Sequence, residues 1–222
     1  MWTVVRHFKG AEYLQLGEAR NSEDLEKSIL YLSLYKNDLS SLWARPKDMF
    51  LSVMENGSPR FQPVYRIRKA APADVSELLS FGYDAWGDGR AMTSFLESYN
   101  LDQNHLRGQR YLIETLSGEI LANLNTLILS KNVIGIASVA TKPSMRKKGH
   151  AALLLKAVME LLRLENSSCT FMLFSEISPT YYEKLGFTSL PSENQKFLPS
   201  VAMSNGSRDL QNDELTFMEQ YF

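Results

Sequence analysis

The segment that most constrains the fold is residues 133–151, VIGIASVATKPSMRKKGHA. An apolar run of strand length is followed by a short turn, and a long helical pattern then begins at a glycine in basic surroundings. Gly149 has no Cβ, so its backbone can approach a ligand closely. The first amides of a helix have no partner inside the helix. Together with Arg146, Lys147 and Lys148, these features predict a buried strand that leads into a site for phosphate oxygens.

Composition limits the classes of function. The chain has 222 residues, a hydrophobic share of 44% and a net charge of -1. The length allows one or two domains. The near-zero charge argues against nucleic acid or an acidic membrane as a partner, although local basic clusters can still bind phosphate. Cys169 is the one cysteine, which fits a reducing compartment. The N-terminus lacks the apolar core of a signal peptide, and no run reaches the roughly 20 apolar residues of a membrane span. We therefore expect a cytoplasmic protein.

The pattern of apolar and polar residues changes after residue 63, and this change predicts one domain at 1–63 and a second at 64–222. In the first, residues 12–16 and 29–35 have strand patterns, and further short elements follow at 43–45 and 49–53. Turn chemistry at Asn56-Gly57 separates such elements. These features predict a small all-β domain, either a barrel or a curled sheet.

The second block contains segments with the apolar spacing of helices and segments with the alternating pattern of strands, and it therefore predicts an α+β fold. Helical patterns occupy residues 72–86, 92–99, 149–163 and 179–185. Strand patterns occupy residues 111–115, 120–129, 133–139 and 170–174, and residues 187–190 and 215–221 could close the sheet. The polar segment 194–212 is expected to be a loop.

Two motifs give the second block a family resemblance. They are Arg146-x-x-Gly149-x-Ala151 and, about 30 residues later, YYEKLGF at residues 181–187. With the order of elements around them, residues 64–222 resemble the GCN5-related N-acetyltransferase (GNAT) superfamily. This resemblance implies a mixed, mostly antiparallel sheet flanked by helices. It also implies transfer of an acetyl group from acetyl-coenzyme A to an amine on a small molecule or a protein.

The resemblance also implies a coenzyme site. Its pyrophosphate would bind mainly backbone amides of the turn, Arg146, Lys147, Lys148, Gly149, His150 and Ala151. We expect the His150 side chain itself to point to solvent. The pantetheine arm would pair with the strand end formed by Val139, Ala140 and Thr141, because a strand that leaves its neighbour exposes backbone groups. Ser175 stands where relatives often carry an asparagine that contacts pantetheine.

Tyr182 matches the family tyrosine that lies near the coenzyme sulfur and protonates the departing thiolate. The alternative is a core aromatic on a short helix, and we expect the neighbouring Tyr181 to be that core residue. Adjacent helical residues face about 100° apart, so one of the two should point at the sulfur.

The general base is less evident, because strand 133–139 lacks the glutamate that many relatives carry there. Glu114 is the candidate base, with Asp84 and Glu176 as other carboxylates and a water chain as an equal possibility. The missing carboxylate also supports an alternative function. In that alternative the protein is a non-catalytic sensor or adaptor that binds acetyl-coenzyme A and docks a macromolecule through its N-terminal domain.

The first block resembles a small bacterial domain of unknown function, on the motifs RHFKGxxY at 6–13, YxxLY at 31–35, WxRPxxMF at 43–50 and RF at 60–61. His7, Trp43 and Arg45 could line a binding groove there, or they could belong to a packed aromatic core. The three histidines, at 7, 105 and 150, have no metal-ligand spacing, so no metal is expected. Monomer and homodimer both remain open.

Overall fold

The computed structural model describes residues 1–37, 39–102, 107–206 and 221. The chain divides into two compact units. Unit 1 comprises residues 1–69 and 112–121, and unit 2 comprises residues 70–111 and 122–222. In the part of the chain that is described, no helix combines the length and apolarity needed to traverse a bilayer.

Unit 1 is built on an antiparallel sheet with one short helix, α1 (Lys47–Phe50). Its strands are β1 (Trp2–His7), β2 (Glu12–Arg20), β3 (Lys27–Ser33), β4 (Leu42–Pro46) and β5 (Phe61–Lys69). The strand order is β5-β1-β2-β3-β4. Helix α1 places Phe50 against Phe61, with ring centroids 4.2 Å apart and nearly parallel planes. Around this pair, Val5, Ile29 and Tyr31 form a buried aromatic and aliphatic core, with Tyr13 and Trp43 packed on it.

The strand-rich N-terminal region is confirmed, with two differences from the expectation. Strand β1 was not predicted, because its sequence WTVVRH is short and ends in charged and polar residues. Strand β5 begins at Phe61, so residue 63 lies within a strand. Among the described residues, β4 is the last strand in the order of the sheet. The domain boundary after residue 63 stays a prediction.

Unit 2 carries the remaining elements. Its helices are α2 (Val75–Ser80), α3 (Tyr83–Trp86), α4 (Met92–Leu101), α5 (His150–Glu165) and α6 (Thr180–Glu183). Strands β6 (Gln109–Thr115) and β7 (Ile120–Ser130) each have one end in unit 1. Strands β8 (Val133–Thr141), β9 (Thr170–Ser175), β10 (Thr188–Ser189) and β11 (Val201–Asn205) complete the sheet in the order β6-β7-β8-β9-β11-β10.

The sheet of unit 2 is mixed, which confirms the predicted fold class. Strand β8 pairs antiparallel with β7 and parallel with β9, while β11 pairs antiparallel with β9 and β10. The parallel pair needs a crossover, and α5 supplies it. Helix α5 packs against β8 through a buried apolar face that includes Leu154, Val158 and Met159, as its period of 3.6 residues requires.

Two elements of unit 2 differ from the sequence-based expectation. The helix expected at 72–86 is interrupted at Phe81-Gly82, and a Cβ on Gly82 would lie 2.1 Å from the Trp86 ring. Within the polar segment 194–212, which was expected to be a loop, residues Val201–Asn205 form β11. Of the strand expected at 215–221, residues 215–220 lie outside the described residues.

A buried polar contact holds the start of the sheet in unit 2. Arg110 on β6 donates to the side-chain oxygen of Asn123 on β7, and the Asn123 amide donates to the Leu78 carbonyl of α2 at 3.2 Å. Burial lowers the pKa of Arg110 to about 10, so the guanidinium remains charged at neutral pH. Asn123 therefore serves two buried groups at once.

Replacing Asn123 with leucine is expected to lower the free energy of unfolding by about 3 kcal/mol, because a buried charge loses an acceptor and a buried carbonyl loses a donor. Urea denaturation measures this as a shift in midpoint at constant slope. Thr126→Val on the same strand is the control, since it removes one neutral hydrogen bond to the Gln109 carbonyl and should cost about 1 kcal/mol. If the two variants lose the same free energy of unfolding, the Arg110 contact contributes little to stability.

Candidate active site

The site begins where β8 and β9 part. Their parallel pairing covers Val133↔Thr170, Ile134↔Phe171 and Gly135↔Met172, and it stops there. Beyond this point β9 continues with β11 as its partner. Within the described residues, no strand pairs with the β9-facing edge of β8 at residues 136–141. That edge therefore presents backbone N–H and C=O groups to any ligand that enters the gap.

The opposite edge of β8 shows why the strand diverges. Its pairing with β7 jumps from Ala137↔Asn125 to Ala140↔Asn123, which marks a bulge. Ser138 lies in this bulge with φ of 48°, a left-handed conformation that costs energy for a residue with a side chain. A bulge bends its strand and increases the local twist. The bulge at Ser138 lies shortly after Gly135, the last residue of β8 that pairs with β9.

The chain then enters the phosphate turn, which we define as residues 142–149. A 3₁₀ turn at Pro143–Met145 is followed by two residues with positive φ, Lys147 at 63° and Gly149 at 84°. Gly149 is the residue before α5, and its carbonyl accepts the first helical bond from Leu153. Gly149, which occupies the cap position, has no side chain to bond the first amides of α5. These amides and the exposed Lys147 and Lys148 form a positively polarised end of a 16-residue helix.

The Arg146 guanidinium donates hydrogen bonds to other groups of the protein. It donates to both carboxylate oxygens of Asp84 at 2.5 and 2.7 Å, to the Phe81 carbonyl at 2.9 Å, and to the Thr141 carbonyl at 3.3 Å. The hydrogen bonds from Arg146 lower the pKa of Asp84. The pair is therefore intact at neutral pH and loosens only as the pH falls through that lowered pKa. Arg146 thus ties the phosphate turn to α3.

Two further residues assigned to the coenzyme site have defined positions. His150 is buried, with 7% of its surface exposed, so the expectation that its side chain points to solvent is wrong. It is the first residue of α5. Ser175 is also buried at the end of β9, and its hydroxyl donates to the Ile177 carbonyl at 2.8 Å. Its hydroxyl is thus engaged in a local bond at the end of the strand.

Tyr182 lies on α6, shortly after β9 ends. Its ring is buried against Phe187 at 5.9 Å and meets Tyr181 edge-on at 5.0 Å. Tyr181 is the less buried of the two, opposite to the expectation that Tyr181 is the core residue. Burial raises the pKa of Tyr182, with smaller contributions from Tyr181 and Glu176. The hydroxyl therefore keeps its proton at neutral pH.

Glu176 follows β9 directly and is exposed. One carboxylate oxygen accepts from the Trp86 indole N–H at 2.7 Å, and the other accepts from the Tyr221 hydroxyl at 2.6 Å. Burial and the bond to Glu176 raise the pKa of Tyr221 to about 12. Tyr221 also stacks on Phe174 at 4.9 Å. A carboxylate bonded to two aromatic side chains thus follows the end of β9.

The other two candidate carboxylates, Asp84 and Glu114, each form an ion pair with an arginine. Asp84 pairs with Arg146, as described above. Glu114 is buried and pairs with Arg68 at 3.0 Å. Both residues belong to unit 1, whereas all of β8, α5 and α6 belong to unit 2. Its role as the base stays a prediction.

The sequence did not point to the bonding partners of Glu176, because Trp86 and Tyr221 are 90 and 45 residues away. Nor did any local signal indicate that Asp84 binds Arg146. Among the residues described, no cluster of His, Cys, Asp or Glu could hold a metal ion, and His105 lies outside that part of the chain.

Comparisons with known proteins agree with this geometry. Residues 74–187 match the sequence model of the acetyltransferase (GNAT) family, and residues 3–63 match that of DUF1653, a protein family of unknown function. A search of curated protein sequences gives no match.

Solved structures show the same fold at low identity. An acetyltransferase of the GNAT family from Staphylococcus aureus Mu50 has 16% identity and a TM-score of 0.51, covering 65% of this chain and 99% of its own. The PaiA N-acetyltransferase from Thermoplasma acidophilum, in complex with coenzyme A, has 14% identity and a TM-score of 0.50, with coverages of 64% and 98%.

A chimera of the spermidine N-acetyltransferase SpeG from Vibrio cholerae and hSSAT has 11% identity and a TM-score of 0.51, covering 70% of this chain and 99% of its own. These structures support the fold alone. The family model, however, spans more than half of the chain, including the phosphate turn and Tyr182. The resemblance seen in the sequence is thereby confirmed, and the chain belongs to the GNAT family of acetyltransferases.

Proposed function

We propose that the protein transfers an acetyl group from acetyl-coenzyme A directly to an amine. The observation that carries this proposal is the parting of β8 from β9 after Gly135, in the strand that leads into the phosphate turn and α5. Tyr182 lies on α6, which follows β9 in the chain. Direct transfer needs both substrates in one site, with the amine nitrogen in line with the thioester carbon.

Coenzyme binding would rely mostly on backbone. Pyrophosphate oxygens would accept from the amides of His150 and Ala151 at the start of α5, with Lys147 and Lys148 adding positive charge. The amide groups of pantetheine would pair with Val139 to Thr141 in the manner of an added strand. Among the residues described, these backbone groups have no strand partner on the β9 side, which supports this assignment.

Arg146 is assigned an indirect role in coenzyme binding, because its guanidinium is held by Asp84 and two carbonyls. If it acts by fixing the phosphate turn, Arg146→Gln and Asp84→Asn should weaken acetyl-coenzyme A binding by similar factors of about threefold. This range fits an exposed ion pair worth under about 1 kcal/mol. The double variant should then bind no more weakly than either single variant. Calorimetry on the three variants measures this, and a much larger loss for Arg146→Gln alone would indicate direct contact with phosphate.

Proton transfer needs an acid and a base. The amine attacks the thioester carbonyl, a C–N bond forms and the C–S bond breaks. Tyr182 would give its proton to the departing sulfur, since burial keeps it protonated until then. We assign removal of the amine proton to Glu176 in preference to Glu114, because Glu176 is exposed, follows β9 and lies in unit 2 with Tyr182.

The test is release of free coenzyme A thiol from acetyl-coenzyme A in the presence of polyamines, aromatic amines, amino acids and a lysine-containing peptide. Acceleration by at least one amine, with the acetylated amine found by mass spectrometry, is expected. Tight binding of acetyl-coenzyme A without acceleration by any amine would favour the non-catalytic sensor or adaptor instead, which the missing carboxylate on β8 motivates.

Glu176→Gln is expected to lower kcat/KM for the amine at least tenfold, because the amide cannot take a proton. Acetyl-coenzyme A affinity should stay unchanged. Tyr221→Phe is the control, since it removes one hydrogen bond to Glu176 but leaves the carboxylate, so kcat/KM should stay close to that of the parent. If Glu114→Gln lowers kcat/KM and Glu176→Gln does not, the assignment made from the sequence is correct.

A further inference from the structure

Unit 1 carries a cluster of cationic and aromatic side chains that the acetyl transfer does not use. We define the His7 cluster as His7, Phe8, Lys9, Arg45 and Arg60. The His7 ring lies 4.3 Å from the Phe8 ring, between centroids. Lys9 Nζ and Arg60 Cζ each lie 5.8 Å from the Phe8 centroid. These residues come from β1, the turn after it, β4 and the position just before β5, so the fold of unit 1 brings them together.

Arg45 joins the cluster through the aromatic core. Its Cζ lies 5.9 Å from the centroid of the Phe61 ring, and the His7 ring lies 4.8 Å from that same ring. Its Nε donates to the Tyr31 hydroxyl at 3.3 Å. Arg60 is oriented by a bond from its Nε to the Ser52 hydroxyl at 2.9 Å. Both guanidinium groups are thus held in place through neutral partners.

The positive charge of the His7 cluster is not neutralised by the protein. Across the described residues, Lys9, Arg45 and Arg60 make no ion pair, whereas Arg6 pairs with Glu12, and Lys27 and Lys47 both pair with Glu18. The whole-chain charge of -1 therefore conceals three cations that make no ion pair among the described residues. Two oriented guanidinium groups suit phosphate oxygens.

The exposed ring adds a second requirement for the ligand. Phe8 is 43% exposed, although it is a large apolar side chain between cations. Bases stack on such rings, and arginine side chains beside the ring strengthen the contact. We propose that the His7 cluster binds a nucleotide unit, with the phosphate on Lys9, Arg45 and Arg60 and the base on Phe8. The unit could belong to a free nucleotide or to a single RNA strand.

His7 provides an internal reporter of this binding. Partial burial lowers the pKa of His7, and Arg45, Arg60 and Lys9 lower it further. No acidic side chain contributes to this shift. A phosphate bound among these groups would reverse the effect, so the pKa of His7 should rise and binding should take up a proton at mildly acidic pH.

The experiment titrates the full chain with inorganic phosphate, uridine 5′-monophosphate and a single-stranded RNA of about ten nucleotides. Saturating coenzyme A is present throughout, so that a phosphate site in unit 2 is occupied. Each titration is followed by calorimetry and by NMR of the His7 imidazole, which is assigned with His7→Gln. Measurements at about 50 and 200 mM salt report the number of phosphate contacts.

Lys9→Gln and Arg60→Gln should each weaken binding about tenfold, because a charge-assisted bond is lost. Lys27→Gln is the matched control, since it makes the same change of charge in unit 1 at a lysine paired with Glu18, and it should bind as the parent does. Phe8→Leu should weaken nucleotide and RNA binding but not phosphate binding.

The three ligands separate the sources. RNA bound much more tightly than the mononucleotide identifies a nucleic-acid strand, and equal affinities identify a free nucleotide. The proposal is overturned if no phosphate ligand binds, or if the two charge variants bind as well as Lys27→Gln.

Discussion

Replacing Tyr182 with phenylalanine is expected to lower kcat for acetyl transfer about 100-fold, within the range for loss of a positioned general acid. The ring is buried against Phe187, so the substitution keeps the packing and removes only the hydroxyl. Burial raises the pKa of that hydroxyl, which keeps the proton available for sulfur. Affinity for acetyl-coenzyme A should change little, because the binding groups that we propose are backbone groups.

Tyr181→Phe is the matched control, since it makes the same change at the adjacent position of α6. It should leave kcat within about twofold, because adjacent helical residues point in different directions. A second readout separates chemistry from structure: an acetyl donor with a more acidic thiol should recover part of the loss in Tyr182→Phe, as its leaving group needs no proton. Turnover that is equal in both variants would remove Tyr182 from the mechanism.

Gly149→Val is expected to weaken acetyl-coenzyme A binding at least 100-fold, or about 2.7 kcal/mol. At Gly149 an added Cβ meets no protein atom within 4 Å, so the new side chain would occupy the space where a phosphate group must approach the amides of α5. The φ of 84° adds strain for any residue with a Cβ, about 1–2 kcal/mol of stability. Calorimetry and urea denaturation measure the two effects separately.

Gly118→Val separates strain from obstruction. Gly118 has φ of 93°, and an added Cβ there also meets nothing within 4 Å, but it lies in the turn between β6 and β7. We expect a similar loss of stability and no loss of coenzyme affinity. If both variants lose affinity alike, strain is the cause and the phosphate turn does not hold the pyrophosphate.

The local part of this fold could be predicted from the sequence, and the non-local part could not. Strand β8, the turn at Gly149 and helix α5 each have a signal within a few residues, because apolar period and glycine placement are local properties. The point at which β8 leaves β9 has no such signal. It depends on a bulge at Ser138 whose register is set by β7.

The candidate site divides in the same way. Gly149 and Tyr182 were recognised from motifs, but the burial of His150 was not, since a histidine beside basic residues looks like a surface residue. Strand β11 was missed because its five residues, VAMSN, are short and partly polar, and they form a strand only against β9. The pairing of Arg146 with Asp84 spans 62 residues, and no local pattern encodes a contact of that range.

The unpaired edge of β8 has a consequence for how this site tolerates mutation. Every residue except proline carries the same backbone donor and acceptor, so recognition through the edge at 139–141 does not depend on which side chains are present there. Substitutions that keep the strand extended should leave coenzyme recognition intact. In this strand the constraint therefore falls on backbone shape at Ser138, and the side chains at 139–141 are free to drift. A strand of this kind can diverge widely while the binding function persists.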